Sequence, residues 1–162
     1  MNYPEIDSSK LSEVMKIIEA AASLMEEKDC DSDAEAAKEL DTLQKQLCEI
    51  TGNENLCIRD YNAYWSYTSL ETVAYSALFQ PPAKTGMTDA QITELIQRIY
   101  KLDFDVPGKE LEAVSEYFLE VLAVETGLHN VSDYIYCPNE IGLDLHADLE
   151  EITARILADS KS

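Results

Sequence analysis

The sequence has few basic side chains: lysine and arginine together number 12, against 32 aspartates and glutamates, so the formal net charge is −20. A surface that binds phosphate groups needs the opposite balance. We therefore do not expect direct binding to nucleic acid or to an anionic membrane, and a basic protein is the natural electrostatic partner. An acidic, soluble cytosolic protein with no such partner would have the same composition.

Motifs that support catalysis are also missing. Neither histidine, His129 or His146, has a second ligand at the spacing of a helical metal site. There is no glycine-rich phosphate loop, no G-x-S-x-G elbow and no C-x-x-C pair among the four cysteines. The sequence therefore predicts no turnover, no cofactor and no bound metal. Carboxylates such as Glu112, Glu116 and Glu120 could form an acid-base or metal site, but four-residue spacing on an acidic helix is more typical of a solvated face.

Long apolar runs are absent as well. No segment approaches the roughly 20 apolar residues of a membrane span, and residues 1–7 lack the basic-then-apolar pattern of a secretion signal. We therefore expect a cytoplasmic protein whose cysteines are reduced. The apolar fraction of 46% is enough for a packed core in a chain of 162 residues.

Helical periodicity dominates the chain, and we expect an all-α fold without a sheet. Capping boxes, in which two side chains satisfy free backbone N–H groups, are predicted at residues 32–35, 68–71 and 88–91. Gly52 and Gly127 are expected to end helices. A last helix is predicted to begin at the caps Asp148 and Glu151. One apolar face in the second half is formed by Ile92, Leu95, Ile96, Ile99 and Leu102.

One stretch has the composition of a contact surface. It is Ser132-Asp133-Tyr134-Ile135-Tyr136-Cys137-Pro138, which we predict to be a turn closed by proline. Two tyrosines beside a carboxylate suit protein recognition, because a phenol ring combines a large apolar face, a polar tip and only two rotatable angles. The alternative is a capped turn whose tyrosines cover a core.

Residues 87–158 resemble the immunity proteins with which bacteria neutralise their own DNase-type bacteriocins, the colicins and pyocins. Met87-Thr88-Asp89-Ala90-Gln91-Ile92 is similar to the start of that family's first helix, and an acidic second helix ends near Thr126. The most specific similarity is Ser-Asp, one further residue, Ile-Tyr, and proline after one more. Family members usually have a tyrosine where Cys137 stands and an apolar, non-aromatic residue where Tyr134 stands.

The resemblance implies a small helical bundle that binds a basic nuclease domain beside its catalytic site and uses no cofactor. It also implies where the partner binds, namely on the acidic second helix and in the following turn. The residues concerned are Glu112, Glu116, Glu120, Ser132, Asp133, Tyr134 and Tyr136.

The two halves of the chain have the same order of features: helix, break, helix ending in Thr-Gly, aromatic turn opening with Asp-Tyr, and capped helix. Residues 1–83 and 84–162 each hold 16 acidic and 6 basic side chains, a net charge of −10. This order indicates an internal duplication, although two amphipathic helical segments can also agree by chance. We expect a degenerate first repeat in residues 1–80, best matched over 9–79, and a second repeat in residues 87–162.

The two repeats are expected to pack together and to be joined through the segment 80–86, which contains Pro81-Pro82. The first repeat has its own aromatic segment, which is either a small core plug or a second candidate binding site. Its residues are Tyr61, Tyr64, Trp65 and Tyr67.

Three functions remain open from the sequence. The first is neutralisation of a basic nuclease toxin by protein–protein binding, as the resemblance implies. The second is an unrelated acidic helical adaptor or antitoxin-like protein that masks another basic surface. The third and last-ranked is a helical enzyme with a carboxylate site.

Overall fold

The computed structural model of the protein describes residues 6–104 and 110–162. Within these residues the fold is all-α: seven α-helices are joined by turns and short 3-10 segments, and no strand is present. The chain forms two compact units, Met1–Gln80 and Pro81–Ser162. Their boundary lies beside the Pro81-Pro82 pair.

The first unit contains three α-helices: α1 (Leu11–Glu27), α2 (Ala34–Thr51) and α3 (Leu70–Leu78). A 3-10 turn, Ser8–Lys10, leads into α1. Helix α1 contacts both α2 and α3. Each helix turns an apolar stripe inward, and the resulting core includes the fully buried side chains of Val14, Ile18 and Leu47.

Two 3-10 turns, Ile58–Tyr61 and Tyr64–Ser66, connect α2 to α3. The side chain of Gln44 holds this connection against α2. Its Nε2 donates to the carbonyl oxygen of Leu56 at 2.7 Å, and its Oε1 accepts from the backbone N–H of Ile58, also at 2.7 Å. The connection is therefore held to the unit by hydrogen bonds from the Gln44 side chain to its backbone, as well as by the buried side chains of Ile58 and Tyr61.

The second unit contains four α-helices: α4 (Asp89–Lys101), α5 (Glu110–Thr126), α6 (Val131–Tyr136) and α7 (Leu149–Asp159). A 3-10 turn, Pro138–Ile141, follows α6. Helix α4 contacts α5 and α7, and α6 contacts the same two helices. At the centre of the unit, the ring of Phe118 stacks on Phe104 with 5.0 Å between ring centroids.

Helix ends follow the predicted signals in the second unit. Thr88 with Gln91, and Asp148 with Glu151, form complete capping boxes at the starts of α4 and α7. Gly127 follows the end of α5 with a φ of 73°, in the left-handed region that glycine adopts without a steric penalty.

The two capping boxes predicted in the first half are wrong by one residue. Helix α2 is capped by Asp33, whose carboxylate accepts from the N–H groups of Glu35 and Ala36. The Ser32 hydroxyl instead donates to the carboxylate of Asp29 at 2.7 Å, in the turn that precedes the cap.

Helix α3 is likewise capped one residue later than predicted. Ser69, not Thr68, caps it, and the Ser69 hydroxyl accepts from the N–H of Thr72. Ser69 has the extended backbone that a cap requires.

The predicted aromatic turn is in fact the short helix α6. Tyr134 and Ile135 follow Val131 by three and four residues, which places all three on one buried helical face. The sequence also predicts a break between the first two helices of the second half, at residues 105–108, and this segment lies outside the described residues.

The segment before α4 is held to the second unit by one buried carboxylate. Glu125, 7% exposed, accepts the N–H of Thr85 at 2.5 Å and its hydroxyl at 2.6 Å. Its other oxygen accepts the N–H groups of Gly86 and Met87, each at 3.0 Å. Thr85 and Gly86 are therefore part of the second unit, which corrects their assignment to a free linker.

Candidate protein-binding site

A surface cleft of about 450 Å³ lies where the end of α4, the outer face of α5 and the end of α6 meet. We call it the α5–α6 cleft. Its volume falls within the roughly 300 to 1,000 Å³ that is usual for ligand pockets. Seven residues line it: Leu102, Leu111, Glu112, Ser115, Glu116, Leu119 and Tyr136.

Helix α5 supplies the acidic side of the cleft. Glu112, Glu116 and Glu120 follow one another at four-residue spacing and are all exposed, because the opposite face of the helix carries Phe118 and Leu122 into the core. The first two glutamates line the cleft, and Glu120 continues the acidic row beyond it.

Glu116 and Glu120 on α5 sit in an unfavourable environment for negative charge. Partial desolvation raises the pKa of Glu116, and the like charges of Glu112 and Glu120 raise it further. Desolvation also raises the pKa of Glu120. Within the described residues neither Glu116 nor Glu120 is paired with a cation. A basic partner would relieve this repulsion.

Helix α6 supplies the aromatic side. Tyr136 is the last residue of α6, 52% exposed, and its side chain lines the cleft opposite the α5 glutamates. Ser132 is exposed and Asp133 is half-buried on the same short helix, next to the cleft in sequence but not among the residues that line it. The structure thus brings Tyr136 to Glu112 and Glu116, while Ser132 and Asp133 flank them.

Tyr134 has a different role from the one that the sequence suggested. It is 6% exposed, and its hydroxyl donates to Oδ2 of Asp159 at 2.7 Å. Nε of Arg155 donates to the same oxygen at 2.8 Å. Burial raises the pKa of Tyr134, and its hydrogen bond to Asp159 raises it further. Tyr134 ties α6 to α7, so we leave it out of the contact surface. The immunity proteins that residues 87–158 resemble have an apolar residue at this position, and this was the feature that could have indicated burial.

The sequence reasoning missed Leu102, which it assigned to the buried face of α4. Leu102 follows the last turn of α4 with a φ of 51° and is 49% exposed. Its N–H and that of Asp103 close the helix end by bonding the carbonyls of Ile99 and Arg98. This left-handed position is normally taken by glycine, and a leucine there costs about 1 kcal/mol.

The aromatic residues of the first unit divide between core and surface. Tyr61 is buried in the core, where desolvation, then the nearby Asp60, raises its pKa to about 12. Tyr64 is half-buried and meets Trp65 edge-on, with 5.3 Å between ring centroids. Trp65 and Tyr67 are exposed. Tyr61 is thus a core plug, while the other three form an aromatic surface.

A second groove, of about 490 Å³, lies between α4 and α7. It contains a single carboxylate and no aromatic side chain, and none of the predicted binding residues lines it. The lining residues are Thr93, Gln97, Leu149, Glu150, Thr153, Ala154 and Leu157.

In the described ranges, 6–104 and 110–162, no group of three histidine, cysteine or acidic side chains is arranged to hold a metal ion. None of the helices described there is both long enough and apolar enough to span a membrane. The chain matches no protein-family model, and it is not significantly similar to any curated protein or solved structure.

Proposed function

We propose that this protein neutralises a basic nuclease toxin in the cytoplasm by protein–protein binding, in the manner of the bacteriocin immunity proteins. The binding surface is formed by α5 and α6 and comprises Glu112, Glu116, Glu120, Ser132, Asp133 and Tyr136. One observation carries the proposal: Glu116 and Tyr136, twenty residues apart in sequence, line the same cleft.

The two kinds of side chain would contribute differently to binding. An exposed tyrosine on a short, well-anchored helix loses little conformational freedom when it is covered, so Tyr136 is suited to anchor a complex. The carboxylates of Glu112, Glu116 and Glu120 lie at the surface, where they mainly accelerate encounter with a basic partner and make it dependent on salt. The net charge of −20 extends this attraction over the whole molecule.

The proposal includes an internal duplication, which the Thr-Gly helix ends support. Thr51 at the end of α2 donates its hydroxyl to the Leu47 carbonyl at 2.7 Å, and Thr126 at the end of α5 donates to Leu122 at 2.6 Å. In both cases the same hydroxyl accepts an N–H from two residues further on, at 3.3 Å. The first helix of each unit also contacts the second and the last.

The repeats differ at the proposed surface. The first unit carries Tyr64, Trp65 and Tyr67 where the second carries α6, and we keep this aromatic surface as a secondary candidate. In the second unit, two glutamates of the acidic row and the exposed Tyr136 line one cleft. We therefore assign the nuclease-binding role to the second unit.

The test uses nuclease domains of DNase-type bacteriocins, beginning with any toxin encoded beside this gene. Inhibition of DNA cleavage and surface binding kinetics are measured for the wild type. Tyr136→Ala should raise the dissociation rate and weaken binding by about 2 kcal/mol or more, the usual loss for a buried anchor. Glu116→Ala should cost less and act mainly on association at low salt.

Tyr64→Ala in the first unit is the matched control. If Tyr136→Ala binds like the wild type while Tyr64→Ala fails, the binding surface belongs to the first unit. If no basic nuclease is bound or inhibited, the proposed function is wrong, and binding to a basic protein that is not a nuclease would support the adaptor alternative.

A further inference from the structure

The position of Leu102 is unfavourable for the stability of the fold. It occupies a left-handed position that favours glycine, and it leaves about half of a large apolar side chain in water. Its side chain forms an apolar wall of the α5–α6 cleft and lines the same space as Leu111 and Leu119. Part of the cleft lining is therefore apolar.

Ser115 adds a polar group to this lining. Its side chain is 7% exposed and lines the cleft, yet its hydroxyl forms no hydrogen bond within the described part of the chain. The hydroxyl itself opens into the cleft, because the unpaired hydroxyl that is fully enclosed within the described residues belongs to Ser76. A ligand that supplies an N–H donor would satisfy the Ser115 hydroxyl.

The cleft thus combines three apolar side chains, an unpartnered hydroxyl, two carboxylates and the exposed ring of Tyr136. We infer that the α5–α6 cleft receives an arginine side chain of the basic partner. This inference rests on the proposed function, because it names the group of the nuclease that the surface would take.

Arginine fits each part of the lining. Its aliphatic stem can lie along Leu102 and Leu119, while the weakly hydrated guanidinium stacks on an aromatic face. Glu112 and Glu116 supply negative charge, and the planar group has donors to spare for Ser115. An anionic ligand would be repelled by the two carboxylates, and a purely apolar one would desolvate the Glu116 carboxylate without supplying a cation.

The inference is tested without the toxin, by titrating the protein with blocked glycine–X–glycine tripeptides and following backbone amide signals by NMR. X is arginine, lysine or citrulline, which has nearly the shape of arginine but no charge. The arginine peptide should shift the amide signals of Leu102, Ser115, Leu119 and Tyr136. The citrulline peptide should shift them much less at the same concentration.

Two variants assign the binding to the cleft. Leu102→Gly removes the wall and relieves the strained backbone, so it should weaken arginine-peptide binding about fivefold while the thermal midpoint stays the same or rises. Glu116→Gln should weaken it about threefold. Leu145→Gly, at another exposed leucine in the second unit, is the matched control and should leave binding unchanged.

The inference is overturned if the citrulline or lysine peptide binds as well as the arginine peptide, or if Leu102→Gly binds it normally. Its failure is distinguishable from failure of the proposed function. Arginine-peptide binding without inhibition of any nuclease would refute the nuclease proposal and leave the cleft assignment standing. If Leu102→Gly still inhibits the nuclease and the arginine peptide causes no amide shifts, the cleft assignment is refuted and the nuclease proposal stands.

Discussion

The substitution Glu125→Gln tests how the second unit holds the segment before α4. Glutamine has nearly the same size as glutamate, but one of its two terminal groups can only donate. In the protein both oxygens of Glu125 accept hydrogen bonds, from Thr85 on one side and from Gly86 and Met87 on the other. The amide therefore cannot accept from all of these donors, and at least one of them loses its partner on residue 125.

Two estimates of the cost agree. Desolvation alone would raise the pKa of Glu125, but the hydrogen bonds from the Thr85 side chain and from the backbone of Thr85, Met87 and Gly86 outweigh it and hold the pKa at about 2. Relative to an ordinary value of 4.5, this shift sets an upper limit of about 3 kcal/mol on the folding free energy that charged Glu125 contributes, because the donors Thr85 and Gly86 are exposed to screening by solvent. Losing one or two hydrogen bonds to a charged acceptor costs about 1.5 to 3 kcal/mol each.

The pH dependence has a definite sign. Because the pKa of Glu125 is lower in the folded protein than in the unfolded chain, its contribution is present above about pH 4.5 and is lost as the pH falls toward 2. The difference in stability between the wild type and Glu125→Gln should therefore shrink, from at most about 3 kcal/mol at pH 6 to about half of that at pH 3.

Native-state hydrogen exchange, read by mass spectrometry on peptides from α4 and α5, measures the effect in the second unit. Peptides from α1 report on the first unit in the same sample. Glu120→Gln is the matched control on α5, and it should be neutral or slightly stabilising because burial raises the pKa of Glu120. Equal protection of α4 and α5 in Glu125→Gln and the wild type would refute the reasoning, as would a difference that grows when the pH is lowered.

The remaining predictions concern a cap and a buried tyrosine. Asp33→Ala should lower the stability of the first unit by about 1 kcal/mol, whereas Ser32→Ala should change it little, and chemical denaturation followed by tryptophan fluorescence can compare them. If Ser32→Ala lowered the stability more than Asp33→Ala, the cap of α2 would be Ser32, as the sequence predicts. Tyr134→Phe removes only the hydroxyl that binds Asp159, so it should lower the thermal midpoint and leave nuclease inhibition intact. Loss of inhibition at an unchanged midpoint would return Tyr134 to the binding surface.

Local signals in the sequence were sufficient for the starts of α4 and α7, but not for α6, which was predicted to be a turn. The capping boxes at Thr88 and Asp148 were predicted correctly, because each depends on a contact within three residues. The caps of α2 and α3 were missed by one position, since neighbouring serine, threonine and aspartate residues can all serve as caps. At α2 the cap is Asp33, because its backbone is extended and its carboxylate reaches the N–H groups of Glu35 and Ala36, and the spacing pattern contains neither feature.

The acidic surface and the all-α class also follow from the sequence alone. Net charge is a sum over side chains and needs no fold, and helical periodicity states which residues share a face. The charge excess points to a cationic partner, but it does not say where on the molecule that partner binds.

Only the tertiary structure decided which side chains face out. Tyr134 and Tyr136 are two residues apart, so a helix turns them to different sides, and contact with α7 determines that Tyr134 is the buried one. Glu125 and Leu102 reverse the usual expectation for their residue types: the carboxylate is buried among backbone donors from a distant segment, and the leucine is exposed beside the cleft. Both outcomes depend on partners that lie far along the chain, so residue type and periodicity could not predict them.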